Sequence, residues 1–342
     1  MNKFKTVLCG YGLLGKVHAA NLMQMEDIEF SAVCDLRFGE AGATVEVPTD
    51  DTSGRQLPPH IHFYHDWHEM FAAEQPQIAV IALPTYLHAP VACAAMQRGI
   101  HVFCEKPMAL HYGDAWQMAR LAEQKQTTLM IGHCLRFWPA YEFLKNAIHE
   151  GDYGRLLALD MYRLGSLPGP GHWMRQPELS GGAALDLHIH DIDWLLYALG
   201  APGRIQVAGT WEQGACNEIA AQWCYPDFTV HIRGSWLHTR FQMGYIARFA
   251  KATFMFDGSK LIHHEKDAGP TEVALPQANA YRKELEHFVD LVARGIHTSP
   301  VCPPDSTAMA VRAVELELTA LREKRTLSWP DTNQHINSEK EC

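Results

Sequence analysis

Acidic and histidine side chains are concentrated in one short stretch, SGGAALDLHIHDID, which ends at Asp193. Five of them lie within eight residues: Asp186, His188, His190, Asp191 and Asp193. Carboxylates and imidazoles bind metal ions, and they also accept and donate protons near neutral pH. The stretch therefore belongs to a metal site, to a proton-transfer site, or to an ordinary polar helix.

The apolar residues of this stretch decide how its polar side chains are placed. They alternate with polar residues up to His190, but over the longer stretch they recur at helical spacing: Leu185, Ile189, Ile192, Leu196 and Leu199. On a helix, Asp186 and His190 lie one above the other, and His188 falls near the opposite side. A metal would need ligands from elsewhere, and no H-E-x-x-H motif or cysteine cluster supplies them. We favour proton transfer, with an Asp–His pair that only supports the helix as the alternative.

The segment VLCGYGLLGKVHAANL carries Gly10, Gly12 and Gly15 in a G-x-G-x-x-G pattern, between a predicted strand and a predicted helix. In this context the first glycine allows a tight turn, the second lets a pyrophosphate approach, and the third lets helix and strand pack closely. Amides at the helix N-terminus would bind the phosphates. The loop predicts a dinucleotide-binding site, against the alternative of a glycine turn that binds nothing.

The residues after the next predicted strand bear on the choice of dinucleotide. Asp35 follows Gly15 by 20 residues, where a carboxylate can bind the ribose hydroxyls of the adenosine. This carboxylate would repel a 2′-phosphate, whereas Arg37 could pair with one. The predicted cofactor is NAD, with NADP possible.

A lysine follows the fifth predicted strand, in the segment HVFCEKPMAL. In doubly wound sheets, ligands bind at the carboxyl ends of the strands, so Lys106 would point toward cofactor and substrate. A solvated surface lysine is the competing interpretation, and position alone does not separate the two.

The elements that must position these residues fall into two regions. Residues 1–130 alternate apolar runs such as QIAVIAL with helical patterns, which predicts βαβ units and a parallel sheet. Residues 131–330 read as successive strands joined by turns, with two helices at the end, which predicts a mostly antiparallel sheet. The expected fold is an α/β Rossmann domain, followed by an α+β domain with a large open sheet for substrate binding and oligomerisation. Residues 331–342 form a polar tail.

The composition excludes several classes of partner. A net charge of -10 over 342 residues gives no electrostatic footprint for nucleic acid or an anionic membrane. No apolar run reaches the roughly 18 residues of a spanning helix. Nine cysteines without a C-x-x-C pair and the lack of a signal peptide predict reduced thiols and a cytoplasmic protein.

Three motifs in this order resemble the Gfo/Idh/MocA family: the glycine loop, the EKP segment at Glu105–Pro107, and a GG…D-x-x-x-H segment near residue 185. The resemblance spans nearly the whole chain and implies a nicotinamide-dependent oxidoreductase acting on a sugar or cyclic polyol. In the family, the matching lysine, aspartate and histidine are the usual catalytic group. This chain departs from the family pattern at Ala183 and His188, where glycines are frequent.

The resemblance and the motifs together give the predicted site. The predicted catalytic residues are Lys106, Asp186 and His190, with no metal. Two further segments, GHCLRFWPAY and GPGHWMRQPELSGG, resemble pocket segments of the family. They add three predicted substrate-binding residues, namely Arg136, Trp173 and Arg175. The predicted cofactor-binding residues are Gly10, Gly12, Leu13, Leu14, Gly15, Asp35, Arg37, Pro84, Thr85, His88 and Glu105.

This set fits the oxidation of a secondary hydroxyl in a sugar, a sugar derivative or a cyclic polyol, and either Lys106 or His190 could be the base. Two alternatives stay open, a glycosidase with a recycled NAD and a dinucleotide-binding regulatory protein without turnover. A homodimer or homotetramer is expected through the uncovered face of the second sheet, which we expect to carry Trp223, Phe228 and Trp236.

Overall fold

A computed structural model describes residues 3–36, 57–212 and 214–329. The chain divides into two compact units, each built from separate stretches. The described residues of the first unit lie within 1–142, 171–181 and 276–312, and those of the second within 143–170, 182–275 and 313–342. The predicted boundary at residue 130 falls 12 residues before the end of the first stretch, at residue 142. The chain then returns to the first unit twice, at residues 171–181 and 276–312. Arg37 and the predicted tail lie outside the described residues.

The first unit is a Rossmann-type α/β structure, as predicted. Its sheet has six parallel strands in the order β3-β2-β1-β4-β5-β6. The strands are β1 (Phe4–Cys9), β2 (Ile28–Cys34), β3 (His62–Tyr64), β4 (Ile78–Ile81), β5 (His101–Glu105) and β6 (Leu129–Gly132). The helices between them are α1 (Leu13–Leu22), α2 (Trp67–Glu74), α3 (His88–Gln97) and α4 (Tyr112–Lys125). Every residue of β4 is buried, as expected for a parallel strand covered on both faces.

A helix from the end of the chain completes the first unit. Helix α8 (Ala280–Ala293) places Leu285 and Phe288 in one apolar cluster with Phe103 of β5 and Met130 of β6. Its sequence has the amphipathic spacing that buries one face of a helix. This burial explains why residues 276–312 belong to the first unit, although they follow the second unit in sequence. Helix α9 (Pro304–Glu323) contributes residues to both units.

The second unit contains a nine-stranded sheet in the order β14-β13-β12-β11-β7-β10-β9-β8-β15. Only the β7–β10 pair is parallel, so the prediction of a mostly antiparallel sheet is confirmed. The strands are β7 (Leu156–Ser166), β8 (Arg204–Glu212), β9 (Ala215–Cys224), β10 (Thr229–Ser235), β11 (Leu237–Phe249), β12 (Ala252–Phe256), β13 (Leu261–Glu265), β14 (Thr271–Val273) and β15 (Leu327–Ser328). The described residues also form the helices α5 (Pro139–Glu150), α6 (Pro177–Ser180) and α7 (Ile189–Leu199).

The side chains expected on the uncovered face of this sheet are not exposed there. Trp223 is 0% exposed and Trp236 is 4% exposed, while Phe228 is half-buried and stacks on Tyr225. The prediction was wrong because alternation along a strand shows that two faces exist, but not which face the helices cover. Exposed large apolar side chains instead occur elsewhere on the strands: Trp211, Leu237, Phe241, Ile246 and Met255.

Candidate active site

The glycine loop joins β1 to α1 with a geometry that only glycine allows at two positions. Gly10 has a φ of +97°, and a Cβ there would overlap the carbonyl oxygen of Ala82. A Cβ at Gly15 would overlap the carbonyl oxygen of Gly10. These contacts hold the loop, the strand and the helix close together, which is what the motif predicts.

Gly12 differs from the other two glycines because its surroundings are open. It is the N-cap residue of α1, and a Cβ built there would meet no described atom within 4 Å. The N-terminal amides of a helix bind anions. The residues of the loop therefore fit a dinucleotide whose pyrophosphate approaches the backbone at Gly12.

Asp35 stands directly after β2 and is tied to the glycine loop. The backbone amide of Tyr11 donates a hydrogen bond to Asp35 Oδ2 over 2.7 Å. This bond fixes the carboxylate beside the loop, in the position from which it could bind ribose hydroxyls.

Lys106 follows β5 and is half-buried. Its backbone amide donates a hydrogen bond to Glu105 Oε2 over 3.2 Å. On the other side, His88 places Nδ1 2.7 Å from the Pro107 carbonyl and Nε2 2.8 Å from the Leu83 carbonyl. Burial lowers the pKa of His88, and a neutral imidazole has one N–H, so it donates to one carbonyl at a time.

Two of the predicted cofactor-binding residues, Glu105 and His88, have side chains that contact other parts of the protein. Glu105 and His88 are 5% and 1% exposed respectively, and both side chains are engaged with protein groups. Their described contacts fix the backbone around Lys106.

A buried polar cluster lies behind Glu105, and sequence reasoning missed it. His18 Nε2 of α1 is 2.6 Å from Glu105 Oε1, and Glu284 of α8 completes the group. The three potential ligand atoms lie within 4.8 Å of one another. The available signal was a polar residue on the buried face of a helix, since His18 lies four residues before the buried Leu22 of α1 and Glu284 four residues before the buried Phe288 of α8.

The stretch with five acidic and histidine side chains is helical in the second unit, as predicted, but it begins with a π-helical turn at Ala184–His188 before α7. Turns of this kind are often found at functional sites. Asp186 and His190 are half-buried, whereas His188 is fully buried. This pattern agrees with the expected placement of His188 on the side away from Asp186 and His190.

His188 is held in a fully buried network. Its Nε2 lies 2.7 Å from Glu317 Oε2 of α9, and Glu317 Oε1 accepts a hydrogen bond from Trp223 Nε1 over 2.7 Å. Gly234 of β10 makes room for the imidazole, because a Cβ at that position would lie 2.6 Å from the Cβ of His188. The network anchors the π-helical turn to the sheet.

Asp191 anchors the first turn of α7 in a second way. Arg163 of β7 donates two hydrogen bonds to its carboxylate, each over 3.1 Å, and both residues are buried. Asp193 is also buried. The cluster in the sequence therefore divides into three interior side chains and the half-buried pair Asp186 and His190. Among the described residues, the only close set of three potential metal ligands is the one around Glu105.

The predicted substrate-binding residues differ in their surroundings. Arg136 is 2% exposed and donates hydrogen bonds to the Val301 carbonyl over 2.6 Å and to Ser306 Oγ over 3.1 Å. These contacts give it an interior role that the sequence did not indicate. Trp173 and Arg175 lie in a half-buried 3₁₀ turn of the first unit. Lys106 belongs to the first unit and Asp186 and His190 to the second, so their convergence on one substrate stays a prediction.

None of the helices in the described part of the chain has the length and apolarity needed to span a membrane.

Two family models match the chain: "Oxidoreductase family, NAD-binding Rossmann fold" over residues 4–133, and "GFO/IDH/MocA C-terminal domain" over residues 141–260.

Relatives and solved structures agree with this match. The chain is 28% identical over 175 residues to a 2,7-anhydro-N-acetylneuraminate hydratase of Mediterraneibacter gnavus, covering 50% of this chain and 46% of that protein. It is 28% identical over 191 residues to a myo-inositol 2-dehydrogenase of Thermotoga maritima, covering 56% and 53% respectively. The chain thus matches about half the length of these relatives.

The fold is similar to that of levoglucosan dehydrogenase in complex with NADH and L-sorbose, with a TM-score of 0.80 at 18% identity over 97% of this chain and 100% of that one. The glycine loop, the two-unit architecture and both family matches lead to one conclusion: this chain belongs to the Gfo/Idh/MocA family of oxidoreductases.

Proposed function

We propose that this protein oxidises a secondary hydroxyl of a sugar, a sugar derivative or a cyclic polyol with NAD as the hydride acceptor. The observation that carries the proposal lies in the first unit. The open glycine loop follows β1 and Lys106 follows β5, with only β4 between these strands. Parallel strands about 4.8 Å apart end at one edge of the sheet, so the two features lie about 10 Å apart at that edge.

The residues of the chain divide the work of the reaction. Bound NAD supplies the hydride acceptor. Lys106 would hydrogen-bond the reacting oxygen and stabilise the negative charge that develops on it. His190 would exchange the hydroxyl proton, and Asp186 would bind a substrate hydroxyl or orient the imidazole. Either Lys106 or His190 is the formal base in this scheme.

Asp35 supports NAD over NADP. Its carboxylate is fixed beside the glycine loop by the Tyr11 amide, where it would repel a 2′-phosphate. The structurally similar levoglucosan dehydrogenase is described in complex with NADH. Arg37, which could favour NADP, lies outside the described residues.

A second candidate function is a reaction on a sugar without net redox change, in which NAD is reduced and reoxidised within one turnover. The relative named as a hydratase favours this candidate, because adding or removing water changes no overall oxidation state. A glycosidase with a recycled NAD belongs to the same class.

A substrate screen separates the two candidates. Sugars and polyols are incubated with the protein and NAD or NADP, and both reduced nicotinamide and the products are measured. Reduced nicotinamide in proportion to product supports the dehydrogenase. Product without accumulation of reduced nicotinamide supports the reaction without net redox change.

The proposal also includes a homo-oligomer and a cytoplasmic location. Ile246 and Met255 are cross-strand neighbours on the exposed face of the second sheet, where they would pack against a second copy of the chain in a homodimer or homotetramer. All eight cysteines among the described residues are free thiols, which favours the reducing cytoplasm.

A further inference from the structure

The buried cluster behind Lys106 combines three ionisable side chains in an apolar interior. His18 is 0% exposed, Glu105 5% and Glu284 0%. The His18 ring packs edge-on against Phe103, with 5.3 Å between the ring centroids. Neither carboxyl oxygen of Glu284 has a hydrogen-bond partner among the described residues. A buried polar group in this condition calls for an explanation.

A metal ion does not fit this geometry. His18 Nε2 and Glu105 Oε1 are 2.6 Å apart, which is a hydrogen-bond distance. Two ligand atoms bound at about 2.0–2.1 Å to one tetrahedral ion would be about 3.3 Å apart. The contact is that of a shared proton.

The hydrogen bonds place the negative charge of the cluster on Glu105. One of its oxygens faces His18 Nε2 and the other accepts the backbone amide of Lys106. Burial opposes ionisation, but the His18 hydrogen bond and the nearby Lys106 ammonium hold the pKa of Glu105 below its ordinary value. No such donor faces Glu284. Burial and then the adjacent Glu105 carboxylate raise the pKa of Glu284 well above its ordinary value.

We propose that His18, Glu105 and Glu284 form a positioning cluster for Lys106, in which Glu284 is a neutral carboxylic acid and Glu105 a carboxylate that holds the Lys106 backbone. The neutral form of Glu284 avoids a second negative charge beside Glu105, so His18 and the Lys106 amide are the partners of a single carboxylate. The inference rests on the proposed function in one respect, since it requires Lys106 to act on the substrate.

Two substitutions at the cluster should differ in their effect on kcat. Glutamine has nearly the shape of a protonated glutamate, so Glu284→Gln should keep kcat within about twofold of wild type. Glu105→Gln replaces the carboxylate that holds Lys106 and should lower kcat by about tenfold or more, with the Kd for NAD within several-fold. Glu74→Gln is the matched control, because Glu74 is a buried glutamate of the same unit whose carboxylate lies 2.7 Å from His62. It should lower the Tm and leave kcat unchanged.

The proposal is overturned if Glu284→Gln loses as much kcat as Glu105→Gln, because Glu284 would then act as an ion. It is also overturned if Glu105→Gln loses no more kcat than Glu74→Gln at a similar loss of Tm. A stoichiometric metal, found by elemental analysis of wild type and absent from Glu284→Gln, would replace the cluster with a metal site.

An infrared measurement separates this inference from the proposed function. The carboxylic acid C=O band of Glu284 should be present in wild type at neutral pH and missing in Glu284→Gln. This result would support the cluster even if no sugar or polyol reduced NAD. Absence of the band in wild type would overturn the inference while leaving the dehydrogenase activity untouched.

Discussion

Removing the imidazole of His188 should destabilise the second unit strongly. His188 and Glu317 are both fully buried, and their contact of 2.7 Å is one of two that satisfy the Glu317 carboxylate. In His188→Ala the carboxylate keeps, among the described residues, the hydrogen bond from the Trp223 N–H. Breaking a buried pair from one side typically costs about 3–5 kcal/mol, because a charge is left uncompensated. At about 2–4 °C per kcal/mol for a unit of this size, the Tm should fall by roughly 6–20 °C.

Urea unfolding followed by circular dichroism measures this cost. The matched control is His231→Ala, which breaks a His–Asp contact of 3.0 Å with Asp160 in the same unit, where both side chains are more than half exposed. That variant should lose no more than about 1 kcal/mol. The double variant His188→Leu, Glu317→Leu should recover part of the loss, since it removes both members of the buried pair but takes the acceptor from the neutral Trp223 N–H. If His188→Ala unfolds within about 1 kcal/mol of wild type, as His231→Ala does, the buried network does not anchor the turn.

Three further predictions concern the cofactor and the assembly. Asp35→Ser should raise the affinity for NADP relative to NAD, because it removes a repulsion worth up to about 4 kcal/mol at contact, and tighter NADP binding by wild type would contradict this. Gly12→Ala should keep the wild-type Tm but bind NAD weakly, whereas Gly10→Ala should lower the Tm as well; both are read from calorimetric titration and thermal melts. Light scattering at micromolar concentration should give a dimer or tetramer, with Ile246→Lys shifting it toward monomer, and a monomeric wild type would contradict the proposed pairing.

Much of the first unit could be predicted because its signals are local. The apolar run QIAVIAL contains β4, and the segment HVFCEKPMAL begins with β5. The order of the regions was correct, but the return of residues 276–312 to the first unit depends on where α8 buries its apolar face, which no local pattern states.

The candidate site was only partly predictable for the same reason. Lys106 and the glycine loop lie in short motifs, so their positions at the sheet edge follow from the strand pattern. His188 was expected to face away from Asp186 and His190, but its partner Glu317 is 129 residues away in sequence. His18 and Glu105 are 87 residues apart, and only the folded chain brings them together with Glu284.

We propose that Lys106 and His190 act on the reacting hydroxyl while the glycine loop holds the dinucleotide. The most direct test is kcat for Lys106→Ala and His190→Ala on a substrate found in the screen, with the NAD Kd and the Tm of each variant measured alongside. We expect kcat to fall about 10²-fold or more in each variant, as for loss of an acid–base or charge-stabilising group, with NAD affinity within several-fold of wild type. Unchanged kcat with a lowered Tm in both variants would contradict the account and leave the two residues with a structural role.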